Sequence, residues 1–331
     1  RHADLRFVGP NCLGVMRPGI GLNATFLDKG APAGRLALVS QSGALCTAIV
    51  DYATPHHLGF STIVSLGNAT DVDFGDVLDY LASDPKSDAI LLYVEGVKDA
   101  RAFMSGLRVA ARSKPVIVLK AGRHERGSKA ASTHTGALIG ADDVFDAALE
   151  RAGVVRAMTF GQLFAAAEML SESRRVTGNR LAIVTNGGGA GVLATDRLIE
   201  EGGQLAELAP ETIDKLNKVL PPTWSHANPV DIIGDADAVR YGNALDSLMG
   251  DPNVDALLVA YCPTSIVSSE DAAQGVIDAL AKPAQGARKN VFACWMGDEN
   301  VRQGRARLID ANIPDFETPE RAVRAFMYLV R

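Results

Sequence analysis

Two stretches of this chain open in the same way, and together they constrain what it can fold into. LALVSQSGALCTAIVD (36–51) and LAIVTNGGGAGVLATD (181–196) each run from a short apolar segment through a turn of small residues into a segment of helical length, and each ends on Asp. A short continuous run of Val, Ile and Leu is the mark of a strand buried on both faces, which needs helices on both sides of a parallel sheet. Further runs fall at 62–66, 89–94 and 116–120, with helices expected at 43–52, 74–82, 100–112, 141–152 and 160–170. A polar break, SESRRVTGNR at 171–180, precedes a second series. Its strands are expected at 181–185, 256–261 and 291–295, and its helices at 191–200, 210–219, 239–249, 272–281, 301–311 and 319–329. The pattern predicts an α/β chain of two doubly wound parallel-sheet domains, 34–177 and 178–331, after an N-terminal segment 1–33.

Size and charge narrow the function. The chain has 331 residues, more than one typical domain, and is 47% hydrophobic and 22% charged, enough for a large core and too apolar for disorder. A net charge of −6 argues against a general nucleic-acid or anionic-membrane surface, since either needs clustered Lys and Arg. No nucleic-acid or membrane partner is therefore expected. Cys12, Cys46, Cys262 and Cys294 are scattered without a CxxC pair, so they read as reduced thiols and a cytoplasmic location is expected. No apolar run reaches the roughly 20 residues of a membrane span, and no signal-peptide pattern is present. The sequence opens without Met on RHADLRFVGPNCLG, which reads as the end of a strand and its loop, so a fragment of a longer chain is expected.

Helix starts supply the first chemistry. Their unpaired N–H groups lie at the positive end of the helix dipole and bind an anion where small residues let it approach. Ser40-Gln41-Ser42-Gly43-Ala44 and Asn186-Gly187-Gly188-Gly189-Ala190-Gly191 are candidate phosphate cradles of this kind. Neither is a Walker loop, and NGGGAG departs from the dinucleotide fingerprint GxGxxG. Between them, KAASTHTGALIG (129–140) sets His134 among Ser132, Thr133, Thr135 and Gly136, with no aliphatic or aromatic packing partner among these flanking residues. Such a histidine either is hydrogen-bonded for structure or must move to act. Its imidazole can accept a phosphoryl group when a carboxylate fixes its tautomer and anion sites stabilise the product. Glu95, at the C-terminal end of AILLYVEGV, is the best-placed carboxylate, because ligands bind at that edge of a parallel sheet; a solvated strand-end Glu is the plainer alternative. Asn228 and Asp231 in HANPVD are lesser candidates for lining a site, and Asp71 or Asp73 in GNATDVD is expected to cap a helix. The histidines show no metal-ligand spacing, so no metal ligand is assigned. Ser42 lacks a GxSxG elbow, which disfavours a serine hydrolase.

GPNCLG (9–14), LVSQSGAL (38–45), YVEGV (93–97) followed by KPVIVLKAGR (114–123), STHTGAL (132–138), TNGGGAG (185–191) and NPVDIIGDA (228–236) together resemble the NDP-forming acyl-CoA synthetases, the superfamily of succinyl-CoA synthetase and ADP-forming acetate–CoA ligase. The resemblance covers essentially the whole chain. It implies two flavodoxin-like domains, with 1–33 as the remnant and linker of a CoA-binding Rossmann domain. It implies that acyl phosphate phosphorylates His134, which passes the group to ADP or GDP, and that Glu95 orients the imidazole. The helix starts after Ser42 and after Gly189, with Ser40, Gln41, Ser42, Gly43, Asn186, Gly187, Gly188 and Gly189, would hold the phosphoryl group. Gly9, Pro10 and Asn11 would lie beside the thiol end of CoA. The implied partners are CoA or acyl-CoA, a small carboxylic acid, and an ATP-grasp domain or subunit that carries ATP/ADP with Mg²⁺ and is not recognisable in this sequence; a homo-oligomer is expected. Some bacterial protein lysine acetyltransferases carry a similar region fused to a GNAT domain, where it senses acyl-CoA or drives oligomerisation, and 162–170 and 319–330 resemble those as well. In such proteins the histidine can be replaced, so the presence of His134 favours retained chemistry. A purely structural α/β module, its glycine turns serving only packing, is the third reading.

Overall fold

The computed structural model describes residues 5–124, 141–172, 176, 178–282 and 289–331. The chain divides into two compact units, Arg1–Ser171 and Glu172–Arg331, each with its own sheet. In the first, β1 (Gly14–Arg17), β2 (Leu22–Thr25), β3 (Ala33–Ser40), β4 (Phe60–Ser65), β5 (Ala89–Val94), β6 (Val116–Lys120) and β7 (Val155–Ala157) lie in the order β2-β1-β4-β3-β5-β6-β7. From β4 to β7 every pairing is parallel. Numbered along the chain, those five strands read 2-1-3-4-5, the flavodoxin order. Helices α1 (Gly43–Ala53), α2 (Phe74–Ser83), α3 (Ala100–Ser113), α4 (Asp142–Ala152) and α5 (Phe160–Glu172) alternate with them. Capping sets where some of these helices begin. Asp73 accepts the Gly75 and Asp76 N–H groups while the Asp76 carboxylate takes the Asp73 N–H, and Asp99 does the same work for α3 at Arg101 and Ala102. Asp71 instead accepts the Phe7 N–H at 2.8 Å and pairs with Arg6.

The hairpin β1–β2 is not visible in the sequence pattern. Its strands have four residues each and β2 is largely exposed, so no two-sided apolar run marks them. β1 pairs antiparallel with β4, Val15 opposite Val64, so 14–25 extend the sheet of this unit.

The second unit has β8 (Arg180–Thr185), β9 (Gln204–Leu205), β10 (Val230–Asp231), β11 (Ala256–Tyr261) and β12 (Asn290–Trp295), with α6 (Gly188–Glu200), α7 (Pro210–Val219), α8 (Ala238–Met249), α9 (Ser269–Ala281), α10 (Arg302–Asp310) and α11 (Pro319–Val330). The order is β10-β8-β11-β12, all parallel. β9 pairs with the start of β8 and β10 with its end. Asn228 fills the gap between them: its Oδ1 accepts the Ile183 N–H at 2.9 Å, and its Nδ2 donates to the carbonyls of Leu181 at 2.9 Å and Ala206 at 3.0 Å. A side-chain amide here replaces a missing stretch of ladder, so the Asn228 amide is committed to completing a sheet edge. A bridge from Ala293 to Asp315 continues the sheet past β12, giving 2-1-3-4-5 again. Among the described residues no helix is long and apolar enough to cross a membrane.

The two units repeat each other down to their ion pairs. Arg35 grips Asp88 with two guanidinium nitrogens and donates to the Pro85 carbonyl at 3.0 Å. Arg180 grips Asp255 at 3.0 and 2.8 Å and donates to the Pro252 carbonyl at 3.2 Å. Lys114 donates to the carbonyls of Leu81 and Asp84, and Lys289 to those of Leu248 and Asp251. The short repeat behind this is DPKSDA (84–89) and DPNVDA (251–256).

Asp255 is nearly buried, and its carboxyl is held below the usual carboxylate range by the hydrogen bond from Arg180, against the opposing cost of burial. The folded state thus binds this proton less tightly than the unfolded chain does. The pair therefore stabilises the fold above the ordinary carboxylate pKa of about 3.9, and the contribution is lost as pH falls through the lower folded value. Asp255→Asn should cost about 1–3 kcal/mol at neutral pH. Urea midpoints of variant and wild type should converge as pH falls below the ordinary carboxylate pKa of about 3.9; a gap of constant size across that fall would mean the loss is steric and not ionic.

Candidate functional site at the strand exits

In the first unit the strand order reverses between β3 and β5, and the exits of these strands leave a crevice where ligands bind in open α/β sheets. Gln41, directly after β3, spans it. Its Oε1 accepts the N–H groups of Glu95 at 2.6 Å and Gly96 at 3.0 Å, and its Nε2 donates to the Gly96 carbonyl at 2.8 Å. The amide thereby fixes the backbone that carries Glu95, whose side chain is buried, with the residue only 7% exposed. Burial, and then the negative charge of Glu95, push the Tyr93 hydroxyl up to about 12, so a neutral phenol stands beside this carboxylate.

The turn into α1 is closed by its own side chains. Ser40 Oγ accepts the Ser42 N–H at 3.0 Å and donates to the Ser42 carbonyl at 2.9 Å, while Ser42 Oγ caps the helix at the Leu45 N–H, 3.3 Å away. Ser40 and Gln41 are buried parts of the turn, and the Ser42 hydroxyl is committed to capping. Backbone N–H groups around Gly43 are what this helix start offers an anion. Leu13 packs against Gly43, 3.4 Å from where a Cβ would stand.

Gly9, Pro10 and Asn11 lie across the neighbouring exit, that of β4. The Gly9 carbonyl accepts the Thr70 N–H at 3.1 Å and its hydroxyl at 2.9 Å, the Pro10 carbonyl accepts the Asn68 N–H at 2.9 Å, and Asn11 Nδ2 donates to Asn68 Oδ1 at 3.2 Å. Gly67 makes this possible. At φ +54° a Cβ there would stand 2.3 Å from the Asn11 carbonyl oxygen, so only glycine permits the approach. His134 lies outside the described residues.

The second unit builds the same clasp. Asn186 follows β8, and its Oδ1 accepts the Cys262 N–H at 2.7 Å while its Nδ2 donates to the Cys262 carbonyl at 2.9 Å. Thr185 Oγ1 accepts the Gly187 N–H at 3.0 Å and donates to its carbonyl at 2.9 Å, as Ser40 does with Ser42. Helix α6 starts at Gly188, with Gly187 as its N-cap, three residues before the expected position; its three leading glycines carry no periodic signal. No side chain caps it, Gly188 and Gly189 are exposed, and a Cβ on Gly189 would meet no atom within 4 Å. Asp231 lies alongside, its Oδ2 2.9 Å from where a Gly188 Cβ would be, so of the two HANPVD candidates Asp231 reaches this helix start and Asn228 does not. Cys262 takes the place that Glu95 holds in the first unit. Burial and then the charge of Asp231 raise its thiol, which keeps it protonated. The sequence offered no sign of Cys262, because its significance rests on a hydrogen bond to a residue 76 positions away.

Two flavodoxin-ordered units, each with a helix starting directly after its first central strand, and a buried strand-exit glutamate in the first, make up the described architecture. Residues 33–170 match the succinyl-CoA ligase like flavodoxin domain and 181–327 the ligase-CoA domain. The chain belongs to the NDP-forming acyl-CoA synthetase superfamily. It is 43% identical over 327 residues to acetate–CoA ligase [ADP-forming] I of Archaeoglobus fulgidus, covering 99% of this chain and 46% of that relative. It is 39% identical over 331 residues to the alpha subunit of acetate–CoA ligase [ADP-forming] I of Pyrococcus furiosus, covering 100% of this chain and 71% of that subunit. A solved structure, the dinucleotide forming acetyl-coenzyme A synthetase 1 of Ca. Korarchaeum cryptofilum in complex with phosphate and ADP, superposes with a TM-score of 0.93 at 36% identity, over 98% of this chain and 70% of that one. The chain thus spans about half the length of the Archaeoglobus relative.

Proposed function

We propose that this chain is the central part of an NDP-forming acyl-CoA synthetase of the acetate–CoA ligase type, in which His134 relays a phosphoryl group between acyl phosphate and ADP. The observation that carries the reading is Glu95, buried at the point of strand-order reversal and held there by Gln41, in a chain matched over its whole length by ADP-forming acetate–CoA ligases. Phosphate displaces CoA from acyl-CoA to give acyl phosphate. The acyl phosphate P–O bond then breaks as a bond forms from phosphorus to one nitrogen of the imidazole, releasing the carboxylic acid. Glu95 accepts a hydrogen bond from the other ring nitrogen, holding the tautomer that leaves the first free to attack. The phosphoryl group next passes to ADP, completing acyl-CoA + phosphate + ADP ⇌ acid + CoA + ATP. Each unit has a helix N-terminus of the kind that stabilises phosphoryl oxygens, α1 in the first and α6 in the second, the uncapped α6 offering more N–H groups.

Gly9, Pro10 and Asn11 face the thiol end of CoA in this reading, held rigid by their bonds to 68–70. The nucleotide and its Mg²⁺ belong to an ATP-grasp domain or subunit outside this chain. The relatives named above are called acetate–CoA ligases and the solved structure an acetyl-coenzyme A synthetase, which supports the ligase reading over the GNAT-fused one. The complete enzyme incubated with Mg-ATP should take up an acid-labile phosphate on this chain and lose it when CoA and acid are added. A well-folded enzyme that takes up none, yet binds acyl-CoA, would replace the relay with a sensing role.

A further inference from the structure

A histidine of the second unit faces two hydrogen-bond acceptors at once. His226 stands exposed in the turn between α7 and β10. Its Nδ1 lies 2.9 Å from Asn217 Oδ1 and its Nε2 2.9 Å from the Pro222 carbonyl oxygen. The orientation of the Asn217 amide is fixed by a third group. Trp224 Nε1, which can only donate, bonds the same Asn217 atom at 2.9 Å, so that atom is the oxygen. Both ring nitrogens of His226 therefore point at atoms that can only accept. A neutral imidazole carries one N–H and would set a lone pair against the second oxygen, whereas an imidazolium donates to both.

The surroundings suit a charged ring. Trp224, 2% exposed, packs against the imidazole with ring centroids 4.8 Å apart, within the range at which an indole face attracts a cation. The charged residues on the elements packed here are Glu211, Asp214, Lys215 and Lys218 of α7 and Asp231 of β10. Among the described residues no carboxylate forms an ion pair with His226, whereas Glu168 lies 3.2 Å from the ring of His56. The backbone at His226 has φ +53°, in the left-handed region, so its side-chain bonds hold a conformation that itself costs energy. Next to it, Ser225 Oγ donates to the Pro229 carbonyl at 2.6 Å and accepts the Asp231 N–H at 3.0 Å. The bonds thus run from α7 through 224–226 to Asp231, which flanks the start of α6 at Gly188.

We propose that His226 is a proton-dependent lock: when charged it fastens residues 221–231 to α7 and fixes Asp231 beside the exposed start of α6, and when neutral it gives up one of its two bonds. The locked form belongs to the acid side. Raising the pH through about 5–8, where histidines ordinarily titrate, removes one proton and with it one bond. The lock is independent of the His134 relay.

The test is NMR on the full chain, labelled with ¹⁵N, across that pH range in wild type, His226→Gln and Asn217→Asp. At the acid end both ring nitrogens of wild-type His226 should carry a proton, and the Trp224 indole signal, which shares the Asn217 oxygen, should move as the ring titrates. Hydrogen exchange at the Asp231 amide, corrected for the intrinsic effect of pH, should quicken by about 3- to 10-fold on the alkaline side. Neither change should occur in His226→Gln. Asn217→Asp keeps an acceptor for Trp224 but adds a negative charge next to the ring, so both changes should move to higher pH. A Trp224 signal and an Asp231 exchange rate that ignore the titration of His226 overturn the lock. So do the same changes persisting in His226→Gln, or an Asn217→Asp transition at the wild-type pH.

Discussion

His134→Ala is expected to leave the complete enzyme without acid-labile phosphate and with turnover lowered by about 10⁴-fold or more, since removing the group that forms the covalent intermediate removes the pathway itself. The fold should survive. The residues around His134 in sequence are Ser, Thr, Ala and Gly, and each unit has a large core cluster drawn from described residues elsewhere in the chain. Intact mass before and after acid treatment, beside steady-state rates, is the measurement. Turnover at the wild-type rate would end the relay reading, and a variant that loses activity together with its cooperative unfolding transition would point to a structural role for the histidine.

Glu95→Gln is expected to slow phosphorylation of His134 by about 10²- to 10⁴-fold. The substitution keeps the shape and a hydrogen-bonding end but removes the charge that selects one imidazole tautomer and raises its basicity. The fold should tolerate the change because Gln41 holds residue 95 through its main chain. Tyr93 supplies an independent reading of the same change. Part of what lifts its hydroxyl to about 12 is the Glu95 charge, so its titration should move down in the variant. Quenched-flow phosphorylation combined with ultraviolet titration of the phenol checks both effects. A normal phosphorylation rate with a shifted Tyr93 would show that the charge was removed without consequence and would refute the orienting role.

What could be read from the sequence follows from how each part earns its stability. β3, β5, β8 and β11 are buried on both faces, so their apolar runs announce them. β9 and β10 have two residues each, and the edge they share is completed by Asn228, which in sequence reads only as a turn residue before proline. Glu95 was visible as a charge ending an apolar run. The clasps that give it meaning were not, because Gln41 finds its partner 54 residues away and Asn186 finds its own 76 residues away. Lys120 stood in the quoted KPVIVLKAGR and passed as the last residue of a strand, since nothing local says that its ammonium turns inward to Asp142.

The paired clasps carry a consequence for how such a chain can change. Gln41 and Asn186 bond only to the peptide groups of the residues they hold, so the side chain at each held position is free to differ while its location in space is kept. One unit displays a carboxylate there and the other a thiol. Each unit thus has a pedestal built on main-chain hydrogen bonds, and the side chain it displays can differ without rebuilding the sheet beneath it.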